Sequence, residues 1–172
     1  MNTRSRSFES KSDSGESKSD SGESKEDFDS DSDLEIPHPA PDENGLRVGI
    51  SEIKDNGRLM LGCFVTQDYE CDDVIAEYTG EELTREELDE RYADVNPTYV
   101  MEVNANKYID ASDPEQSNNT RYINTLRQNQ MNGHIFNCRC RLRGRRIQVV
   151  AIEDIEAGDE LFVDYGDEFS VE

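Results

Sequence analysis

Tryptophan is absent from this 172-residue chain, histidine occurs twice, and positive charge is scarce: 18 Lys and Arg face 40 Asp and Glu, a net charge of −22. So large a deficit argues against nucleic-acid binding as the main task, because phosphate affinity needs clustered Lys and Arg. It suits basic partners instead. No apolar run approaches the roughly 18–20 residues of a membrane helix, so no membrane association is expected. The start, Met-Asn-Thr-Arg-Ser-Arg-Ser, lacks the apolar stretch of a secretory signal. Cys63, Cys71, Cys138 and Cys140 form no Cys-x-x-Cys pair. The expectation is a reduced, intracellular chain without structural zinc. His38 and His134 have no evident ligand partner in sequence and need no role.

Apolar residues are also few, 33 % of the chain, against roughly 45–50 % on a scale that includes glycine. Averaged, that sits near the disordered class. The deficit is local. Residues 1–44 hold five basic and thirteen acidic side chains, net −8, with six apolar residues. Residues 45–172 hold thirteen and twenty-seven, net −14, with 51 apolar residues, enough for one ordinary core. The organisation expected is an acidic tail over 1–44 and one domain over 45–172.

The tail writes the heptad Ser-Lys-Ser-Asp-Ser-Gly-Glu twice, at 10–16 and 17–23, then runs through Ser24-Lys25-Glu26-Asp27 into Asp29-Ser30-Asp31-Ser32-Asp33. Without branched apolar residues it has nothing to offset the entropy of ordering, and disorder is expected. Ser10, Ser17, Ser24, Ser30 and Ser32 each precede an acidic residue by three, a pattern acidophilic kinases accept. Phosphates there would deepen the charge. A solubilising tail and a regulatory one both remain open. Pro37, Pro39 and Pro41 predict a stiff linker.

Beyond Gly45 the pattern predicts short strands at Val48–Ile53, Met60–Val65, Val74–Tyr78, Tyr99–Val103, Lys107–Asp110, Ile135–Leu142, Ile147–Ala151 and Glu160–Val163. Thr84 with Glu87 three residues on reads as a capping box, opening a helix that runs to about Tyr92 and ends before Pro97. Arg143-Gly144 predicts a hairpin turn. Arg139, Arg141 and Arg143 alternate with Cys138, Cys140 and Leu142, which reads as a solvated strand face; an import signal or a patch for acidic ligands is the other reading. A mostly-β fold with few short helices follows.

Four segments then fall in order: Gly57-Arg-Leu-Met-Leu-Gly-Cys-Phe64, Val74-Ile-Ala-Glu-Tyr-Thr-Gly-Glu-Glu-Leu-Thr84, Asn118-Asn-Thr-Arg-Tyr-Ile-Asn124, and Ile147 to Gly166, which ends Gly158-Asp-Glu-Leu-Phe-Val-Asp-Tyr165-Gly166. Together they resemble the SET domain, the fold of most protein lysine methyltransferases, over about residues 45–169. The last segment is the most specific, following A-x-x-x-I-x-x-G-[ED]-E-L-x-x-D-Y-G. The resemblance implies a β-clip fold of several small sheets with a pseudoknot near the C-terminus.

It also implies chemistry. Methyl transfer from S-adenosylmethionine to lysine needs a neutral amine in line with a sulfonium methyl group, dry surroundings and fixed orientation. Tyr165 matches the family's catalytic tyrosine. Phenol is a weak base, with a pKa of about 10, so positioning and electrostatics are its expected roles. Tyr99 matches a second catalytic, channel-lining tyrosine. Tyr78, Val163 and Phe169 match the substrate channel, although Tyr78 in Glu-Tyr-Thr-Gly reads first as core and turn packing, and Tyr99 equally suits any strand. Arg121, Tyr122, Asn124 and Thr125 match the segment that cradles adenosine, and Leu59, Met60 and Leu61 the loop whose main chain approaches the cofactor. Asp110 matches a structural position.

The sequence departs from the family at several points. Thr125 stands where the family has histidine, and Leu126-Arg-Gln-Asn-Gln130 replaces Ser-Cys-x-Pro-Asn. Ahead of Gly62 the usual G-x-G reads Arg58-Leu59-Met60, whose side chains would crowd a loop built for bare backbone. Val163 replaces the common Phe or Tyr, leaving more room beside the amine. Arg127 occupies the zinc-binding cysteine position, and the cysteine-rich segments that flank many relatives are not seen, so no metal is expected.

The leading expectation is a protein-lysine N-methyltransferase using S-adenosylmethionine on a basic protein, a histone tail being the family's commonest substrate. The alternative is an inactive SET-fold module that binds basic proteins. A nuclear, chromatin-associated location follows by substrate analogy alone, with the cytoplasm left open. Between Asp68 and Asp94 twelve acidic residues face only Arg85 and Arg91, which reads as a solvated face.

Overall fold

The structure, a computed structural model, describes residues 36, 40–127, 130–131 and 133–165. Most of the acidic tail, Pro37, Pro39 and Phe169 lie outside the described residues. Among the described residues no helix is long and apolar enough to cross a membrane.

Among the described residues eight strands form three small antiparallel sheets. Strands β1 (Leu46–Asp55) and β2 (Arg58–Val65) pair as a hairpin. Asn56 and Gly57 both take positive φ, 50° and 83°, the backbone that a two-residue type I′ turn demands. Arg58–Met60 therefore stand in strand β2 and not in a loop. The tight turn falls one step earlier, where a glycine is available.

Strands β3 (Val74–Glu77), β8 (Arg146–Ala151) and β7 (Cys138–Arg143) make the second sheet, with β8 central. The β7–β8 turn is Gly144-Arg145, Gly144 having φ 67°. Strand β7 starts at Cys138; Ile135 is exposed and outside it. The third sheet orders β4 (Glu81–Leu83), β6 (Lys107–Asp110) and β5 (Val100–Asn104). Strand β4 has only three residues, too short to stand out as a periodic run.

Helix α1 (Arg85–Arg91) opens with the capping box: the Glu87 amide donates to Thr84 Oγ1 at 3.3 Å and the Thr84 amide to Glu87 Oε2 at 2.8 Å. A cap of this kind contributes about 1 kcal/mol. Leu88 is the helix's buried residue, meeting Leu83, Val100 and Tyr108. Asp110, its side chain 1 % exposed, ties helix to sheet: Arg91 and Tyr92 each donate to it at 2.8 Å. Burial pushes the Asp110 carboxyl up, but bonds from Ser112, Tyr92 and Arg91 outweigh that and hold it below the usual carboxylate range. Gly80 is needed here because a Cβ would overlap the Asp110 carbonyl.

The predicted strand Glu160–Val163 is a threaded segment making isolated bridges on three sides. Leu161 N donates to Cys63 O at 2.8 Å, Val163 N to Asn124 O at 3.0 Å, and Cys138 N to Phe162 O at 3.2 Å. Asn137 brackets it, receiving from Phe162 N at 2.9 Å and donating to Glu160 O at 2.8 Å. Leu161 and Val163 bury their side chains in the main core with Leu46, Val65, Val149 and Ile155. Each such side chain stabilises by about 1.5–3 kcal/mol. The C-terminal segment thereby locks the β1–β2 hairpin, the 124 segment and the β7–β8 sheet together.

Candidate active site

The site grows from the segment after Asn118. Asn118 caps a 3₁₀ turn, Asn119–Tyr122, and its amide group donates to Glu77 O at 2.8 Å. Asn119 donates to Leu46 O at 2.7 Å. These bonds aim Arg121 and Tyr122 at Tyr99. The Arg121 guanidinium lies 4.2 Å from the Tyr99 ring centre, and Tyr122 meets Tyr99 edge to face at 6.4 Å. Half-buried cation–π contacts of this type contribute about 0.5–1 kcal/mol. A cavity of about 640 Å³ opens beside them, walled by Pro41, Asp42, Ser117, Asn118, Arg121 and Tyr122.

Two further tyrosines approach from other elements. Tyr78, following β3, is buried and donates to Tyr99 O at 2.9 Å. Tyr165, at the end of the threaded segment, donates to Ile123 O at 2.5 Å and packs on the main core. Burial raises both phenols well above their ordinary ionisation range, and each phenol lies within electrostatic reach of other groups here: Arg121 works against the rise at Tyr78, and Tyr78 adds to it at Tyr165. Burial also raises Tyr122.

On the opposite side of Ile123, Asn124 reaches the β1–β2 hairpin. Its Nδ2 donates to Leu61 O at 2.9 Å and to Glu160 Oε1 at 3.1 Å. Glu160, 3 % exposed, also accepts from Ser51 Oγ at 2.6 Å and from the Glu52 amide at 2.7 Å. The β1–β2 pairing is interrupted between Ile50 and Lys54, opposite Met60. Thr125, half-buried, makes no main-chain hydrogen bond among the described residues. Next to it, Arg127 Nη1 pairs with Asp55 Oδ1 at 2.9 Å and Gln130 Nε2 donates to Lys54 O at 2.8 Å, fastening the hairpin tip.

The expected site residues thus fall in two groups joined at Ile123–Thr125. Tyr78, Tyr99, Arg121, Tyr122 and Tyr165 form one; Leu61, Asn124 and Thr125, with Met60 and Leu59 along β2, form the other. Val163 lies 1 % exposed inside the core beneath Tyr165. Sequence reasoning missed Glu160 and Ser51. A signal was there: Glu160 opens the predicted strand Glu160–Val163, and a carboxylate carried into the core at the head of the apolar run Leu161–Val163 needs buried partners. Among the described residues no group of three or more His, Cys, Asp or Glu is placed to hold a metal ion. Cys63 and Cys138 are buried, and burial raises their thiols.

Small antiparallel sheets clasping a threaded C-terminal segment are the arrangement of the β-clip class of proteins. Within that class, the SET-domain family model matches residues 60–166. The chain belongs to the SET-domain family.

Solved structures agree. The crystal structure of the Chaetomium thermophilum polycomb repressive complex 2 aligns at 28 % identity and a TM-score of 0.58, covering 73 % of this chain and 16 % of that one. That complex in an autoinhibited conformation bound to S-adenosylmethionine gives the same figures. An active polycomb repressive complex 2 in the stimulated state aligns at 28 % with a TM-score of 0.60, covering 73 % and 16 %. The matched region spans about one-sixth of those longer chains. No curated protein sequence matches the chain.

Proposed function

We propose that the chain is an S-adenosylmethionine-dependent protein-lysine N-methyltransferase acting on a basic protein, a histone tail by family analogy, which would set its work in the nucleus. One observation carries the reading: the Tyr165 hydroxyl and the free main-chain edge of Thr125 are held by the same three residues, Ile123–Thr125. A phenol for the amine and polar backbone for a cofactor thus share one anchor.

The residues fit S-adenosylmethionine. Open main chain at Thr125 suits a ligand rich in donors and acceptors, and Asn124 beside it ties that edge to strand β2 through Leu61 O. Leu59, Met60, Leu61, Arg121, Tyr122, Asn124 and Thr125 are proposed to hold it, by backbone more than by side chain. When bound, the cofactor supplies an electrophilic methyl group on a sulfonium. Tyr78, Tyr99 and Tyr165 present ring faces that strip water from the incoming amine and favour its neutral form. Their fixed oxygens orient it. The phenols stay protonated, so they position the amine and leave its proton to solvent. The domain over 45–172 would be the catalytic unit and the tail an appendage.

The ion pair between Arg127 and Asp55 and the side chains of Leu59 and Met60 favour a second reading, a non-catalytic module that binds basic proteins. Calorimetric titration with S-adenosylmethionine separates the two. Heat and a thermal shift are expected; silence at millimolar cofactor would sink the enzyme reading.

A further inference from the structure

We infer that the acidic stretch Glu26–Glu35 docks along the edge of strand β7, as an added strand whose carboxylates face the arginines of the β7–β8 hairpin. This inference does not depend on methyl transfer.

The hairpin is an anomaly in so acidic a chain. Arg139, Arg141, Arg143, Arg145 and Arg146 crowd eight residues, five of the domain's thirteen basic side chains. Register puts Arg139, Arg141 and Arg143 on one face, with Arg146 directly opposite Arg143. Local carboxylates answer only part of this charge. Arg139 meets Asp72 and Arg146 meets Glu77, each through one exposed contact at 3.1 Å. Arg141 donates to a neutral partner, Gln148, at 3.1 Å. Among the described residues no carboxylate lies within ion-pair distance of Arg141, Arg143 or Arg145.

The backbone is open as well. Strand β7 is the outer strand of its sheet, pairing with β8 on one side only, and its single other bridge lies at its first residue, Cys138. From Arg139 to Arg143 its outward amides and carbonyls have no partner strand among the described residues. Leu142 is 54 % exposed there. An unprotected edge of this sort recruits an extended segment.

The chain itself carries the matching segment. Asp27, Asp29, Asp31, Asp33 and Glu35 recur at every second residue, and no basic residue interrupts Glu26–Glu35. In an extended strand side chains two residues apart share a face, about 6.5 Å from one another. The acidic period therefore equals the arginine period, and Phe28 and Leu34 supply apolar side chains for the other face.

Geometry brings the two together. Asp42 accepts from the Asn119 amide at 3.1 Å, Asn118 donates to Glu77 O at 2.8 Å, and Glu77 pairs with Arg146 at 3.1 Å. Three successive contacts thus connect the chain's entry into the domain to the hairpin turn. Six residues lie between Glu35 and Asp42, seven steps along the chain and a reach of about 23–25 Å when extended. A tether that short gives a high effective concentration, which favours the covalently attached segment over a free acidic ligand. The net charge of −22 argues the same way against nucleic-acid phosphate.

The test uses the isotope-labelled full chain, with a synthetic peptide of residues 24–36 as reference for the free segment. At low salt, amide resonances of Asp27–Glu35 are expected to move away from the peptide's values and return to them at high salt. Arg141→Glu/Arg143→Glu should release the segment. Asp29→Lys/Asp31→Lys, which leaves the domain untouched, should release it too and shift Arg139–Arg143. Combining the two charge reversals should restore docking, which a merely unfolded variant would not do. Segment resonances equal to the peptide's at every salt concentration would overturn the proposal. So would a DNA duplex that shifts Arg139–Arg143 at near-physiological salt while the segment stays at peptide values.

Discussion

The carboxylate of Glu160 fills the space that a Cβ on Gly62 would need. The two residues come from opposite ends of the domain, and their contact is where the threaded segment presses onto the β1–β2 hairpin. Family resemblance reads Gly62 as part of a loop that lets a cofactor approach. In this fold its missing side chain also serves a buried anion bonded to Ser51, Glu52 and Asn124.

Gly62→Ala is therefore expected to lower stability by about 1–3 kcal/mol, the usual cost of overpacking. Denaturant unfolding measures it. Glu160→Ala should relieve that overlap while leaving the Ser51 and Glu52 donors unpaired, so each change destabilises alone and the double variant costs less than the sum. Strict additivity in this cycle would mean that the two groups do not meet.

Asp110 gives a pH-dependent expectation. Its carboxyl is held below its ordinary value in the fold, so the stability it contributes is complete above the unfolded value of about 3.9 and is lost as pH falls through the folded value. Asp110→Asn weakens the bonds from Arg91 and Tyr92 and should cost about 2–3 kcal/mol at neutral pH. The gap between variant and parent should close on acidification. A gap of constant size from pH 7 down to about 2 would remove Asp110 from the acid response.

Much of the frame was legible in the sequence. The Thr84–Glu87 pair placed the start of α1, and the alternation at Lys107–Asp110 and Ile147–Ala151 gave strands within a residue of their bounds. What escaped depends on long-range packing. Strand β4 pairs only because β6 lies beside it, and Glu160–Val163 has strand-like residues but no continuous neighbour. In the candidate site, residue types pointed to Tyr165, Asn124 and Arg121 one by one. That Asn124 would reach Leu61 while Arg121 turned the other way to Tyr99 is set by the 3₁₀ turn, which no local pattern announces.

Tyr165→Phe separates a positioning role from a structural one. The hydroxyl's bond to Ile123 O contributes about 1 kcal/mol to the fold. Methyl transfer to a lysine peptide should fall by about 10²-fold or more, the scale of losing one preorganised group at a reacting centre. Cofactor affinity, read by calorimetry, should barely change. Undiminished turnover would mean that another tyrosine holds the amine.

The raised phenols also shape the pH–rate profile. If Tyr78 or Tyr165 ionised near the ordinary value of about 10, a limb centred there would appear and would vanish in the matching phenylalanine variant. Burial holds both phenols protonated through that range. Methyl transfer should therefore rise with pH as the substrate amine, whose ordinary value is about 10.4, loses its proton, with no additional inflection that Tyr78→Phe or Tyr165→Phe removes. Tyr78→Phe should lower the whole curve without changing its shape, because the lost hydroxyl supports the Tyr99 carbonyl and takes no proton. An inflection near 10 that Tyr165→Phe abolishes would instead make Tyr165 a proton acceptor.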